Sequence, residues 1–131
     1  MIRGSCLCGG VRFEISGGLD RASHCHCSMC RKAHGAAFGS YVGVKLAAFR
    51  WLRGEDLVMR YASTPDVTRT FCARCGSTLQ YIHRTQPERL ALALGVLDDD
   101  PAVRPELHMF VADKAPWYEI TDRLPQHPGD A

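Results

Sequence analysis

Short alternating runs of apolar and polar residues, separated by turn residues, dominate the chain and predict strands rather than helices. Val11-Arg12-Phe13-Glu14-Ile15 puts three apolar residues on one face and ends at Ser16-Gly17-Gly18, the pattern of a half-buried strand. His24 to Cys27 can extend similarly, whereas Ser28 to Gly35 predicts a tight turn and a brief helical piece stopped by Gly35. Ala36 to Val44 has strand composition, and its two glycines predict a bulge or a close backbone approach; the strand is expected near Cys25, Cys27 and Cys30, where its small residues leave room for a ligand. Val44 to Phe49 allows one helical turn; Phe49 to Gly54 and Leu57 to Tyr61 predict two more strands with their turns.

Val67 to Phe71 alternates directly into Cys72, and Thr78 to His83 leaves Gly76 in the same way, which predicts a hairpin with cysteines at its tip. The nearly continuous apolar run Leu90 to Leu97 favours a buried central strand by its length and its glycine, although Leu and Ala alone equally permit helix. Leu107 to Val111 is the last clear strand, and residues 127–131 are expected to fray. With no linker, repeat or low-complexity stretch, residues 1–131 read as one domain with a core of about 3–126. Seven or eight short strands with little helix argue for a small, mostly antiparallel β fold stapled by zinc.

The cysteines explain what such a small fold is stapled by. They fall into Cys6-Leu7-Cys8, Cys25-His26-Cys27-Ser28-Met29-Cys30 and Cys72-Ala73-Arg74-Cys75-Gly76, and none stands alone. In an extended segment residues i and i+2 share a face, so Cys6 with Cys8, and Cys25 with Cys27, can each turn two sulfurs toward one ion. A Cys-x-x-Cys-Gly turn converges two more. Two bidentate units, Cys6/Cys8 and Cys72/Cys75, complete the tetrahedron of a structural zinc, which leaves Cys25, Cys27 and Cys30 one ligand short. An open position is what a substrate or a water needs.

Composition then narrows the classes. Seven cysteines in metal-type spacings suit ligation in a reducing compartment better than a disulfide framework. The first residues carry no apolar run, and no stretch reaches about 18 apolar residues, so the expectation is a cytoplasmic protein with no membrane partner. A 46% hydrophobic and 23% charged composition excludes wholesale disorder. Two divalent ions add four positive charges and seven thiolates seven negative ones, which takes the formal charge from +2 to −1. Basic character therefore offers no argument for a nucleic-acid partner.

The ordered set Cys6-x-Cys8-Gly9-Gly10, Cys25-His26-Cys27-x-x-Cys30-Arg31, Phe71-Cys72-x-x-Cys75-Gly76 and His108-x-Phe110-Val111, with Lys114, Trp117 and Leu124-Pro125, resembles the glutathione-dependent formaldehyde-activating enzyme (GFA) family, which also includes centromere protein V. The resemblance runs from Cys6 to about Gln126. It implies the Mss4-like fold, a β-tent of stacked antiparallel sheets, with a structural zinc on Cys6, Cys8, Cys72 and Cys75 and a catalytic one on Cys25, Cys27 and Cys30. It also implies a carbon-sulfur lyase acting on S-(hydroxymethyl)glutathione, the adduct of glutathione and formaldehyde.

Three thiolates around Zn²⁺ leave a net charge of −1, which weakens Lewis acidity but still allows the site to hold an exogenous thiolate. The expected partner is a small thiol such as glutathione, or a thiol-aldehyde adduct. The alternative is a non-catalytic binding or structural module with both ions architectural, which a fourth protein ligand on the second ion favours. Redox or zinc-ribbon functions complete the alternatives, and spacing alone does not choose zinc over iron.

Neighbouring residues each carry two readings. His24 and His26 lie out of phase with the cysteines and read as surface or packing residues, with proton shuttling the lesser alternative. His34, four residues beyond Cys30, can reach the open position as ligand or base, or is simply solvated. Arg31 and Lys32 divide evenly between receiving a substrate carboxylate and ordinary surface charge. Trp51, Tyr61, Phe71, Tyr81 and Trp117 read as core or rim packing rather than a base-stacking platform.

Overall fold

The computed structural model describes residues 1–131. The strand β2 (Arg12–Ile15) is flanked by β1 (Ile2–Ser5) and β5 (Phe49–Arg53) in a three-stranded antiparallel sheet. The second sheet has seven strands in the order β10-β3-β4-β9-β8-β7-β6. Its members are β3 (Ala22–Cys25), β4 (Gly39–Lys45), β6 (Val58–Ala62), β7 (Val67–Cys72), β8 (Thr78–His83), β9 (Arg89–Ala93) and β10 (Pro105–Met109). One helix, α1 (Ser28–His34), follows β3. The mostly β architecture read from the alternation is therefore present, in the two sheets that the family resemblance implies, with one departure from antiparallel order: β10 runs parallel to β3. A long crossover makes that possible, because the chain between them builds six other strands first.

The core lies between the sheets. Phe13 and Ile15, on the apolar face of β2, pack with Ala22, Val42, Val44, Leu90 and Leu92 of the larger sheet. Full burial of each such large side chain contributes about 1.5–3 kcal/mol. Glu14, on the opposite face of β2, is nevertheless buried and paired with Arg50. Two smaller apolar clusters each include cysteines: Cys6 and Cys72 with Val11 and Leu79, and Cys25 and Cys30 with Tyr41.

Three expectations change, and one strand is added. The strand β1 has no alternating signal of its own and forms by pairing Ile2–Ser5 with β2. The apolar run Leu90 to Leu97 is a central strand only as far as Ala93; Leu94–Val96 forms a one-turn 3-10 segment. Residues 127–131 do not fray at their start, because Val111 N–H bonds the His127 carbonyl at 3.0 Å and Phe110 N–H the Gly129 carbonyl at 2.9 Å. Tyr61 and Trp117 are exposed, whereas Trp51 packs edge-on against Phe13 and Phe49 as expected.

Candidate metal centres

The sulfurs of Cys6, Cys8, Cys72 and Cys75 lie within 4.8 Å of one another. Cys6 and Cys8 are not on an extended strand, as their spacing suggested. They sit on the turn that leaves β1, closed by Gly9 N–H on the Cys6 carbonyl at 3.0 Å, and their sulfurs are 3.5 Å apart. Cys72 ends β7, and the Cys72-to-Ser77 turn at the hairpin tip brings in Cys75, as the sequence indicated. The cluster is wrapped in donors. Val11 N–H points at Cys6 Sγ (3.3 Å), Arg74 Nε at Cys8 Sγ (3.3 Å), and the Ser77 hydroxyl lies 3.3 Å from Cys75 Sγ. The Arg74 contact holds the Cys8 thiol below its ordinary range, and the Ser77 hydroxyl lowers that of Cys75 to about 5.

Cys25, Cys27 and Cys30 form a second group within the same limit, and no imidazole or carboxylate joins it. Cys25 ends β3, and Cys27 caps α1, its sulfur accepting from Cys30 N–H at 3.2 Å. The first helical turn thereby folds Cys30 back toward Cys27, while Gly35, at φ 60°, closes the helix in a left-handed conformation that glycine adopts without strain. Hydrogen bonds from Cys25 and Cys30, then from the Cys30 backbone, hold the Cys27 thiol far below its usual range against the opposing effect of burial. Thr78 Oγ1 donates to the Ala33 carbonyl at 2.9 Å, which ties α1 to β8 just beyond the other cluster.

A cavity of about 590 Å³ opens over the three sulfurs and is lined by Cys25, Cys27, Cys30, Tyr41, Arg69 and Phe110 among others. Its size is within the range of small-molecule sites, roughly 300–1,000 Å³. Arg69 is buried; it donates from Nη1 to Tyr41 Oη (3.0 Å) and points Nη2 at Cys30 Sγ (3.6 Å). Phe110 adopts φ 55° and ψ 38°, an uncommon backbone state for an aromatic residue, at the rim of the same cavity.

The histidines separate sharply. His34 Nε2 lies 2.8 Å from Tyr41 Oη, and this pairing, not the sulfur group, is where its ring goes. The absent side chain of Gly39 makes that possible, since a Cβ there would stand 2.8 Å from both the His34 and Tyr41 rings. Gly39 thus makes room for a protein contact, and a Cβ at Gly43 would meet Arg89 and Asp20. His26 is fully buried, neither surface nor cavity lining. Its Nε2 is 2.8 Å from His108 Nδ1, whose Nε2 is 2.9 Å from Asp122 Oδ2. A carboxylate only accepts, so His108 Nε2 carries a proton toward Asp122, and at the other end of the chain His26 Nδ1 is buried without a partner. Burial, then the neighbouring His108, lowers the His26 pKa to about 4 and keeps it neutral. His24 bonds Ser40 at 2.8 Å, and Arg31 and Lys32 do not line the cavity.

Tyr41, Arg69, His108 and Asp122 were not singled out by sequence as parts of a site. Arg69 carried a usable signal, since it shares a strand face with apolar Val67, and a charge in that phase marks a buried ion. Asp122 carried none, because it reaches His108 from an irregular segment.

The donor chemistry fits a thiophilic ion: two sets made only of cysteine, with N–H or guanidinium groups directed at sulfur, suit zinc and not a hard cation. Fold and sites together define a two-sheet β protein with two thiol clusters, one of four sulfurs and one of three beneath a cavity. The chain belongs to the glutathione-dependent formaldehyde-activating enzyme family, whose sequence model matches residues 1–113. It is similar to a Halomonas elongata protein provisionally named glutathione-dependent formaldehyde-activating enzyme, with 32% identity across 94% of this chain and 83% of that one. An uncharacterized lyase of Schizosaccharomyces pombe is 28% identical over 61% of this chain and 56% of its own length. A Rhodobacter sphaeroides protein of known crystal structure superposes with a TM-score of 0.63 and 27% identity, covering 79% of this chain and 91% of that one. No helix is long and apolar enough to cross a membrane.

Proposed function

We propose that the protein is a zinc-dependent carbon-sulfur lyase acting on a small thiol-aldehyde adduct, S-(hydroxymethyl)glutathione or a related hemithioacetal. The observation that carries this reading is the group of three sulfurs with no fourth protein donor, lying at the floor of a cavity of about 590 Å³. In this reading Cys6, Cys8, Cys72 and Cys75 hold a structural zinc, and Cys25, Cys27 and Cys30 hold the zinc that serves the reaction. A zinc ion bound there supplies a Lewis acid that stabilises a thiolate at neutral pH.

The chain's own groups account for the rest. In the breakdown direction the carbon-sulfur bond breaks, its electron pair remains on sulfur, the hydroxyl proton leaves to water in the open cavity, and the carbonyl double bond forms. The reverse makes the adduct. The Tyr41 hydroxyl lines the cavity and is steadied by Arg69 and His34, so it is assigned to hydrogen-bond the hydroxymethyl oxygen and hold its carbon beside the sulfur. Burial raises the Tyr41 pKa, so this hydroxyl acts as a neutral donor.

The test is exchange NMR of formaldehyde and glutathione at equilibrium, with zinc-loaded protein. Acceleration of adduct exchange is expected, abolished in Cys27→Ser and reduced about 10-fold or more in Tyr41→Phe, the loss of one directed donor. Equal exchange with and without the protein sinks the lyase reading.

A further inference from the structure

A buried guanidinium is costly unless an anion lies beside it. Arg69 is only 8% exposed, and no carboxylate pairs with it. Its contacts are Tyr41 Oη (3.0 Å), Ser63 Oγ (3.3 Å), the Tyr81 ring (5.2 Å to its centroid) and Cys30 Sγ (3.6 Å). Of these only the Cys30 sulfur is a group that a bound metal ion would hold as an anion. No other lysine or arginine lines the cavity. The closed cluster also has an arginine, Arg74 on Cys8, but that contact is exposed and screened by water.

We propose that Arg69 is a specificity-determining residue that makes the position above Cys25, Cys27 and Cys30 prefer an anionic sulfur ligand, a thiolate, to a neutral ligand such as imidazole. This rests on reading that cluster as a metal site with an open fourth position. Three thiolates and one divalent ion sum to a single negative charge, and a fourth thiolate doubles it. Arg69 cancels one of those charges from inside the protein, where charge interactions are several-fold stronger than in bulk water. A neutral fourth ligand adds no charge for Arg69 to act on. The residue therefore discriminates between ligands by charge rather than merely holding the fold.

The experiment uses the full chain loaded with cobalt(II), titrated separately with 2-mercaptoethanol, glutathione and imidazole while the ligand-field and sulfur-to-cobalt bands are followed. In Arg69→Met both thiols should bind about 10- to 100-fold more weakly, the scale of a lost charge-assisted contact. Imidazole affinity should stay within about 3-fold, since no charge is added with it. Arg69→Lys, which restores the charge, should recover most of the thiol affinity. Circular dichroism and two metals per chain verify that each variant is folded; Arg69→Gln replaces the methionine variant if that one fails. Unchanged thiol affinity, or equal weakening of thiols and imidazole, overturns the proposal. If the wild-type cobalt protein responds to neither thiol, the open-position reading falls and this inference with it, whereas a wild-type response that Arg69 variants leave intact sinks only the role of Arg69.

Discussion

The two cysteine clusters use the same donor atom, and what separates them is their surroundings. At the four-sulfur cluster Cys6 and Cys72 are buried against Val11 and Leu79, and backbone N–H, hydroxyl and guanidinium groups are all turned onto sulfur. It joins the turn after β1 to the β7–β8 hairpin, segments more than sixty residues apart in sequence. At the three-sulfur cluster all the sulfurs come from Cys25 to Cys30, so an ion there would close only a short loop, and the group opens on a cavity. A cross-link between distant segments removes more freedom from the unfolded chain than one within six residues. The same ion would therefore mainly stabilise the fold in one place and mainly present chemistry in the other.

The sharpest way to break this contrast is to remove one ligand from each cluster. Cys72→Ser should lower stability by more than about 4 kcal/mol, or about 10 °C or more in melting temperature, because it opens the long-range cross-link. Cys27→Ser should leave the melt within about 1 kcal/mol of wild type, since its loop is short. Melts of zinc-loaded proteins decide it; equal losses at both clusters would erase the division.

A smaller effect is expected behind the three-sulfur cluster. His108→Ala leaves the buried His26 Nε2 without a partner, at a cost of about 1–3 kcal/mol. His26 lies between Cys25 and Cys27, so the same variant should also release its second metal to a chelator faster than wild type, with the first metal unaffected. If both metals leave at wild-type rates while stability falls, the His26–His108–Asp122 chain supports the fold alone.

The smallest effect sharpens the contrast from the other side. His34→Ala should cost about 0.5–1.5 kcal/mol for the lost Tyr41 hydrogen bond and should leave two zinc ions per chain. Loss of one zinc would make His34 a ligand after all and turn the second cluster into a closed one.

The cysteine spacing carried the division into four and three sulfurs because ligand spacing is a local property: a Cys-x-x-Cys turn or a Cys-x-Cys pair brings its own atoms together whatever surrounds it. Strand phase was local in the same sense, and it located Phe13 and Ile15 in the core and the hairpin that carries Cys72 and Cys75 at its tip. The strand β1, the limit of β9 at Ala93 and the tethered tail depended on the segments they meet, so their own residues carried little sign of them. The surroundings of the sulfurs were decided in the same way. Arg69 meets Cys30 from another strand, Asp122 reaches His108 from an irregular loop, and Gly39 admits the His34–Tyr41 pair that turns His34 away from the open side. The grouping of the sulfurs was written in the chain itself, but the charge, access and hydrogen bonding around each cluster arise where separate segments meet, and only the folded arrangement of β4, β7 and β10 fixes those meetings.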